Sequence, residues 1–190
     1  MSYFSLRSTR LHYFGGTSGH WGGFCAKLDP IDFKKRAWIN DSGWPISLQD
    51  IEPYYPKAHE LVELGPYQWT ADYWTKEKPA FKSLFPANNY LWDKIWQISP
   101  PTRFGDKYRD AIIHAPNIHL YTYANLTDIT TNETGDYITT VTIKTPAGKK
   151  YTVKARQFIL AGGAIQNARM LLAANKQQPN GLGNQYDVVG

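Results

Sequence analysis

Cysteine is almost absent from this 190-residue chain. The lone Cys25 excludes an internal disulfide framework and any cysteine-cluster metal site. Long apolar runs are missing too. Nothing approaches the 18 consecutive apolar residues of a membrane span, and the N-terminus lacks the basic-then-apolar pattern of a secretory signal. Charge of one sign is never concentrated. The net +5 is spread along the chain without a run of five like charges, which argues against a nucleic-acid arm or a polybasic membrane patch. His12, His59, His114 and His119 are scattered without ligand spacing, which argues against a metal site. No intact G-x-G-x-x-G occurs anywhere.

What the chain has instead is aromatic side chains: 7 Trp, 13 Tyr and 8 Phe, with a hydrophobic fraction of 42%. That composition belongs to a packed protein rather than a disordered one. The length allows one ordinary domain, two at most.

Periodicity and turn chemistry give a coarse layout. Ser47 and Asp50 have capping-box spacing, and Ile51, Tyr54, Tyr55, Ala58, Leu61 and Val62 recur at helical intervals. Pro53 and Pro56 complicate a continuous helix, so a short entry turn is expected first and then a helix from about Pro53 to Leu64, with Gly65 as its stop. Short helices are expected over Trp92–Ile98 and Lys107–His114, and strands over Ile118–Tyr123, Tyr137–Thr145 and Tyr151–Lys154. Pro146-Ala147-Gly148 should join the last two as a hairpin. Phe158–Ala161 reads as a buried strand, followed at Gly162-Gly163 by a helix over Ala164–Ala174 with Ile165, Ala168, Leu171 and Leu172 on one face.

Two segments could carry chemistry. Gly15-Gly16-Thr17-Ser18-Gly19-His20-Trp21-Gly22-Gly23 packs five glycines into nine residues. Such backbone either needs positive φ or lies close against something, and its amides and hydroxyls suit a phosphate or the polar edge of a cofactor ring. It suits equally a tight loop between layers with His20 and Trp21 as packing residues. The strand–Gly-Gly–helix segment over Phe158–Leu172 could aim free amides at an anion, a weak signal by itself. Cys25 fits best as a small buried residue, and the Asn40, Asn125 and Asn132 sequons carry no sign of secretion. The Trp and Tyr cluster between Trp69 and Trp96 reads either as a sugar or alcohol pocket or as the core of an irregular cap.

Taken in order, six words carry a resemblance. They are Arg10–Gly23; Gly43-Trp44-Pro45-Ile46 with Asp50–Tyr55; Ser99-Pro100-Pro101 leading to Phe104-Gly105; Ala124–Ile129; Leu160–Ile165 with Asn167-Ala168-Arg169; and Gly181–Asn184. With these words the chain resembles the glucose–methanol–choline family of FAD-dependent oxidoreductases. The resemblance implies an α/β fold: part of an FAD/NAD(P)-binding, Rossmann-like domain (1–25 and 116–190) with an irregular, partly helical cap insertion (26–115) and a β-hairpin. It implies FAD as cofactor and oxidation of a CH–OH group of an alcohol, sugar or polyol. Gly15, Gly16, Thr17 and Ser18 would lie along the pyrophosphate and isoalloxazine ring, with His20, Trp21, Gly22 and Gly23 completing that loop. Leu126 would meet the adenine through its main chain, and Ala161 and Gly162 the adenosine. His20 falls where some relatives attach FAD covalently; the alternative is an imidazole that hydrogen-bonds or packs.

Relatives also carry an N-terminal dinucleotide fingerprint and a C-terminal His–His or His–Asn segment, neither of which is found here. The expectation is therefore an internal part of a larger enzyme, with no catalytic residue to name and weak or absent FAD binding in isolation. A non-enzymatic carbohydrate-binding protein and a degenerate structural relative are the other readings. Substrate, electron acceptor and compartment are not legible.

Overall fold

The computed structural model describes residues 5–78, 80–83 and 91–190. It divides into two compact units, 1–119 and 120–190. The first is a succession of short helices around one small sheet. α1 (Leu6–Thr9), a 3-10 turn at Gly16–Gly19, β1 (Phe24–Cys25) and α2 (Pro30–Phe33) come first. α3 (Leu48–Ile51), a second 3-10 turn at Glu52–Tyr54, α4 (Tyr55–Leu61) and α5 (Ala71–Glu77) follow. β2 (Gln97–Ile98), α6 (Phe104–Lys107) and α7 (Arg109–Ile113) close the unit.

The capping box forms as the spacing predicts, with the Ser47 N–H donating to Asp50 Oδ2 at 2.7 Å. The entry turn is a four-residue helix, Leu48–Ile51, and the longer helix starts at Tyr55, two residues after the expected Pro53. The chain breaks into three segments, and Pro53 and Pro56 each fall in the first turn of a new one, where a missing N–H goes unfelt. The stop also moves: Glu63 turns left-handed at φ 55°, ahead of Gly65.

Trp92–Ile98 is not helical. Gln97 and Ile98 instead pair antiparallel with Cys25 and Phe24, and the buried Gln97 side chain donates to the carbonyls of Pro66 (3.0 Å) and Gln68 (2.9 Å). That tertiary demand, with Pro100 and Pro101 immediately downstream, overrides helical periodicity. The helix expected over Lys107–His114 exists in two pieces, α6 and α7, divided at Tyr108 (φ −104°, ψ 4°).

The second unit is a three-stranded antiparallel sheet, β3 (Asn125–Thr131), β4 (Ile138–Lys144) and β5 (Lys150–Val153), with α8 (Ala164–Ala173) laid against β3. The β4–β5 hairpin forms in register Val141↔Val153 to Lys144↔Lys150, and Gly148 takes φ 80° in the turn. The first strand is displaced from the expected Ile118–Tyr123, because Tyr123 turns left-handed (φ 53°) and pairing begins only at Asn125. Along β3 inward positions alternate, ending on the buried Ile129 and Thr131. Ile129, Val141 and Ala174 form the core, backed by Leu126, Ile138, Phe158, Leu160 and Leu182.

Phe158–Ala161 is not a strand. Phe158 and Leu160 pack on the core, but Ile159 is 88% exposed and no described strand pairs with it. α8 ends one residue short of expectation, and its buried residue is Met170, with Ala174 just beyond it; Ile165 and Leu172 lie on the exposed side. The molecule therefore mixes helices with small antiparallel sheets, as an α/β class requires in outline; the described residues contain no parallel strand pair.

Candidate functional site

The glycine loop is built on two left-handed residues. Gly15 (φ 92°) and Gly16 (φ 54°) turn the chain into the 3-10 turn, and the His20 N–H closes it on the Thr17 carbonyl at 3.1 Å. The Ser18 hydroxyl donates to the Gly15 carbonyl at 2.6 Å and accepts the Phe104 N–H at 3.1 Å.

The inner side of the loop rests on the segment 99–105, so two of the separated sequence words meet. The Trp21 indole donates to the Thr102 carbonyl at 2.8 Å, and its ring meets Phe104 edge-on at 6.4 Å. Arg103 Nη1 donates to the carbonyls of Ser18 (2.9 Å) and Trp21 (3.1 Å). The Ser99 N–H donates to the Gly23 carbonyl at 2.8 Å. Ser99 is 1% exposed; its Oγ accepts the Thr102 N–H at 2.8 Å and donates to Thr102 Oγ1 at 3.1 Å.

The glycines divide by role. A Cβ on Gly15 would stand 2.6 Å from Gly105 Cα, and one on Gly23 2.6 Å from the Ser99 carbonyl oxygen, so these two are required by packing. A Cβ on Gly16 would meet nothing closer than the Leu11 oxygen at 3.8 Å, and one on Gly22 only the Phe24 ring edge at 3.2 Å. Thr17, His20 and Gly22 are exposed. The loop thus has a packed back and an open front, and the front carries a hydroxyl, an imidazole and glycine backbone.

Leu126, Ala161 and Gly162 belong to the second unit. Leu126 is half-buried in β3, opposite Ile143, with a register irregularity before Asp128. Ala161 and Gly162 form an exposed turn held by one side chain: Asn167 accepts the Gly162 N–H at 3.0 Å and donates to the Leu160 carbonyl at 2.9 Å. Gly163 (φ 88°) precedes α8, with open space where a Cβ would be. Arg103 and Asn167 organise these segments, yet composition gives no sign of them; each stands in or beside a resemblance word, which was the one available signal.

The aromatic cluster splits. Tyr67 and Trp69 pack edge-on against His59, each at 5.2 Å, and Lys27 lies over the Tyr67 ring at 5.4 Å. Burial pushes the His59 imidazole below the ordinary histidine range, partly offset by a hydrogen bond to the Gly65 backbone. Lys27 pairs with Glu52 at 2.6 Å, and the Tyr67 hydroxyl donates to the same carboxylate at 2.7 Å; hydrogen bonds from Lys27 and then Tyr67 pull Glu52 down. Trp92 and Trp96 instead face solvent. Two open clefts, of about 850 and 870 Å³, lie in the second unit and are lined by none of the expected cofactor residues. Among the described residues no three of His, Cys, Asp and Glu converge as a metal site, and no helix is long and apolar enough to cross a membrane.

No family model matches the chain. It is 24% identical over 220 residues to a 2-methyl-1,2-propanediol dehydrogenase of Mycolicibacterium austroafricanum, an alignment that takes in 93% of this chain and 39% of that enzyme. The chain spans about two fifths of the length of this curated relative.

Proposed function

We propose that the chain supplies part of the cofactor site of an FAD-dependent oxidoreductase acting on a CH–OH group of an alcohol, sugar or polyol. The carrying observation is the glycine loop, rigidly backed by residues 99–105 and open in front at Gly16, Thr17, His20 and Gly22. The name of the dehydrogenase relative agrees with an alcohol substrate.

Three features of the loop fit a flavin dinucleotide. Gly16 leaves room for close approach of a flat or anionic group. The Thr17 hydroxyl offers a donor and an acceptor at the exposed front. The exposed His20 imidazole makes no hydrogen bond among the described residues, so it is available to hydrogen-bond the cofactor or to bond it covalently as a nitrogen nucleophile. In this reading Gly15, Ser18, Trp21 and Gly23 hold the loop's shape, while Leu126, Ala161 and Gly162 meet the adenosine part. The chemistry that bound FAD supplies is acceptance of a hydride from the alcohol carbon. No residue of this chain is assigned to take the hydroxyl proton.

The test uses protein expressed from its whole reading frame. Flavin absorbance should co-purify and be bleached by an alcohol or sugar in the absence of oxygen. Acid precipitation then distinguishes the roles of His20: flavin left in the pellet means attachment, flavin in the supernatant means contact alone. Saturable sugar binding by a colourless protein would overturn the proposal in favour of a carbohydrate-binding one.

A further inference from the structure

The loop that presents His20 is held by a residue no cofactor argument singles out. Arg103 Nη1 donates to the carbonyls of Ser18 and Trp21, at 2.9 and 3.1 Å, the residues that bracket Gly19 and His20. Both carbonyls turn inward to one nitrogen, and of the two residues between them Gly19 is half-buried against the Tyr13 ring while His20 faces out. His20 is accordingly exposed while Trp21 is drawn in, its indole bonded to the carbonyl of Thr102, the neighbour of Arg103. On the other side of Arg103, the Phe104 N–H donates to Ser18 Oγ. Three consecutive residues thus fasten the turn: Thr102 at Trp21, Phe104 at Ser18 and Arg103 at both.

Arg103 itself is well anchored and electrically unspent. Thr102 is 3% exposed and tied to Ser99 and Glu63, so the arginine projects from a fixed backbone. Its guanidinium forms no ion pair among the described residues. A planar cation with a fork of donors meets two carbonyls at once at less entropic cost than a flexible ammonium.

We infer that Arg103 is a positioning residue: by clamping the Ser18 and Trp21 carbonyls it fixes the orientation of His20 toward the cofactor. The inference rests on the FAD reading only for what His20 faces; the clamp itself is a property of this chain.

Two variants and two measurements test it. In Arg103→Met the donor is lost at similar length; in Arg103→Gln an N–H₂ donor is kept without charge. In the 190-residue chain, hydrogen exchange at the His20 amide, which is bonded to the Thr17 carbonyl, should quicken at least tenfold in R103M and return most of the way in R103Q. Amides of α4 should not change. In the protein from the whole reading frame, R103M should shift the visible flavin band and lower flavin retention, and R103Q should largely restore both. An unchanged His20 exchange rate in R103M overturns the proposal. If R103M also opens α4, R103K decides on the same amides, because its ammonium keeps a donor at similar reach: His20 exchange slower than in R103M with α4 intact supports the clamp, and exchange as fast as in R103M with α4 intact overturns it. If the wild-type protein carries no flavin, the cofactor reading falls while the exchange result still decides Arg103.

Discussion

Gly15 and Gly105 exclude a side chain from each other. A Cβ on Gly15 would stand 2.6 Å from Gly105 Cα, and a Cβ on Gly105 would run into the Phe14 carbonyl, its carbon 3.1 Å away. Gly15 also holds φ 92°, where an L side chain is strained.

From this contact, Gly15→Ala or Gly105→Ala should lower stability by about 2–4 kcal/mol, because backbone atoms cannot yield as a flexible side chain would. Gly16→Ala should cost only about 1 kcal/mol, since its left-handed φ of 54° is unfavourable but the space is empty. Denaturant midpoints of the three variants check the order. Equal losses at Gly15 and Gly16 would mean that conformation alone matters.

His59 should make stability fall in acid. Burial lowers its folded pKa below the ordinary value, so the unfolded chain takes up the proton first as pH drops. The contribution is complete above the ordinary histidine pKa, near ~6.5, and is lost below it with a slope of at most about 1.4 kcal/mol per pH unit. Glu52, held below its ordinary range by Lys27, keeps its ion pair throughout that window. Unfolding free energies at neutral pH and at mild acid pH, for wild type and His59→Leu, provide the check. The variant should show a flatter profile, and an identical acid loss in both would place the sensitivity elsewhere.

Gln177 caps the last residue of the edge strand β3. Its Oε1 accepts the Thr131 N–H (2.8 Å) and hydroxyl (3.0 Å), and its Nε2 donates to the Thr131 carbonyl at 3.0 Å, so one amide side chain replaces a neighbouring strand at that residue. Gln177→Ala should cost about 1–3 kcal/mol and speed hydrogen exchange at Thr131. Gln177→Glu should be worse near neutral pH, because a carboxylate faces the Thr131 carbonyl where a donor stood. Thermal melts together with exchange at Thr131 decide between a local edge role and none.

Ser99 and Thr102 should behave as one unit. Removing the Ser99 hydroxyl leaves the Thr102 N–H without its partner in a buried position, at about 1–3 kcal/mol. The double variant Ser99→Ala with Thr102→Val should cost less than the sum of the single changes, as expected for groups that hydrogen-bond each other. Additive losses would refute the pairing.

What was readable from the residues alone is what depends on near neighbours along the chain. Ser47 and Asp50 cap a helix three residues apart, Pro146-Ala147-Gly148 turns a hairpin, and Gly162-Gly163 precedes a helix, because each of these bonds closes within a few residues. The glycine loop was legible as a loop for the same reason. Tertiary structure decided the rest, because the deciding contacts lie tens of residues apart. Gln97 became a strand residue because Cys25 and the carbonyls of Pro66 and Gln68 receive it, although its own neighbourhood reads as helix. β3 began at Asn125 because Lys144 was there to pair with it. The glycines of the loop looked alike in sequence, and only the arrival of Ser99, Arg103 and Gly105 from more than 75 positions away gave Gly15 and Gly23 to packing and left Gly16, Thr17 and His20 at the open face.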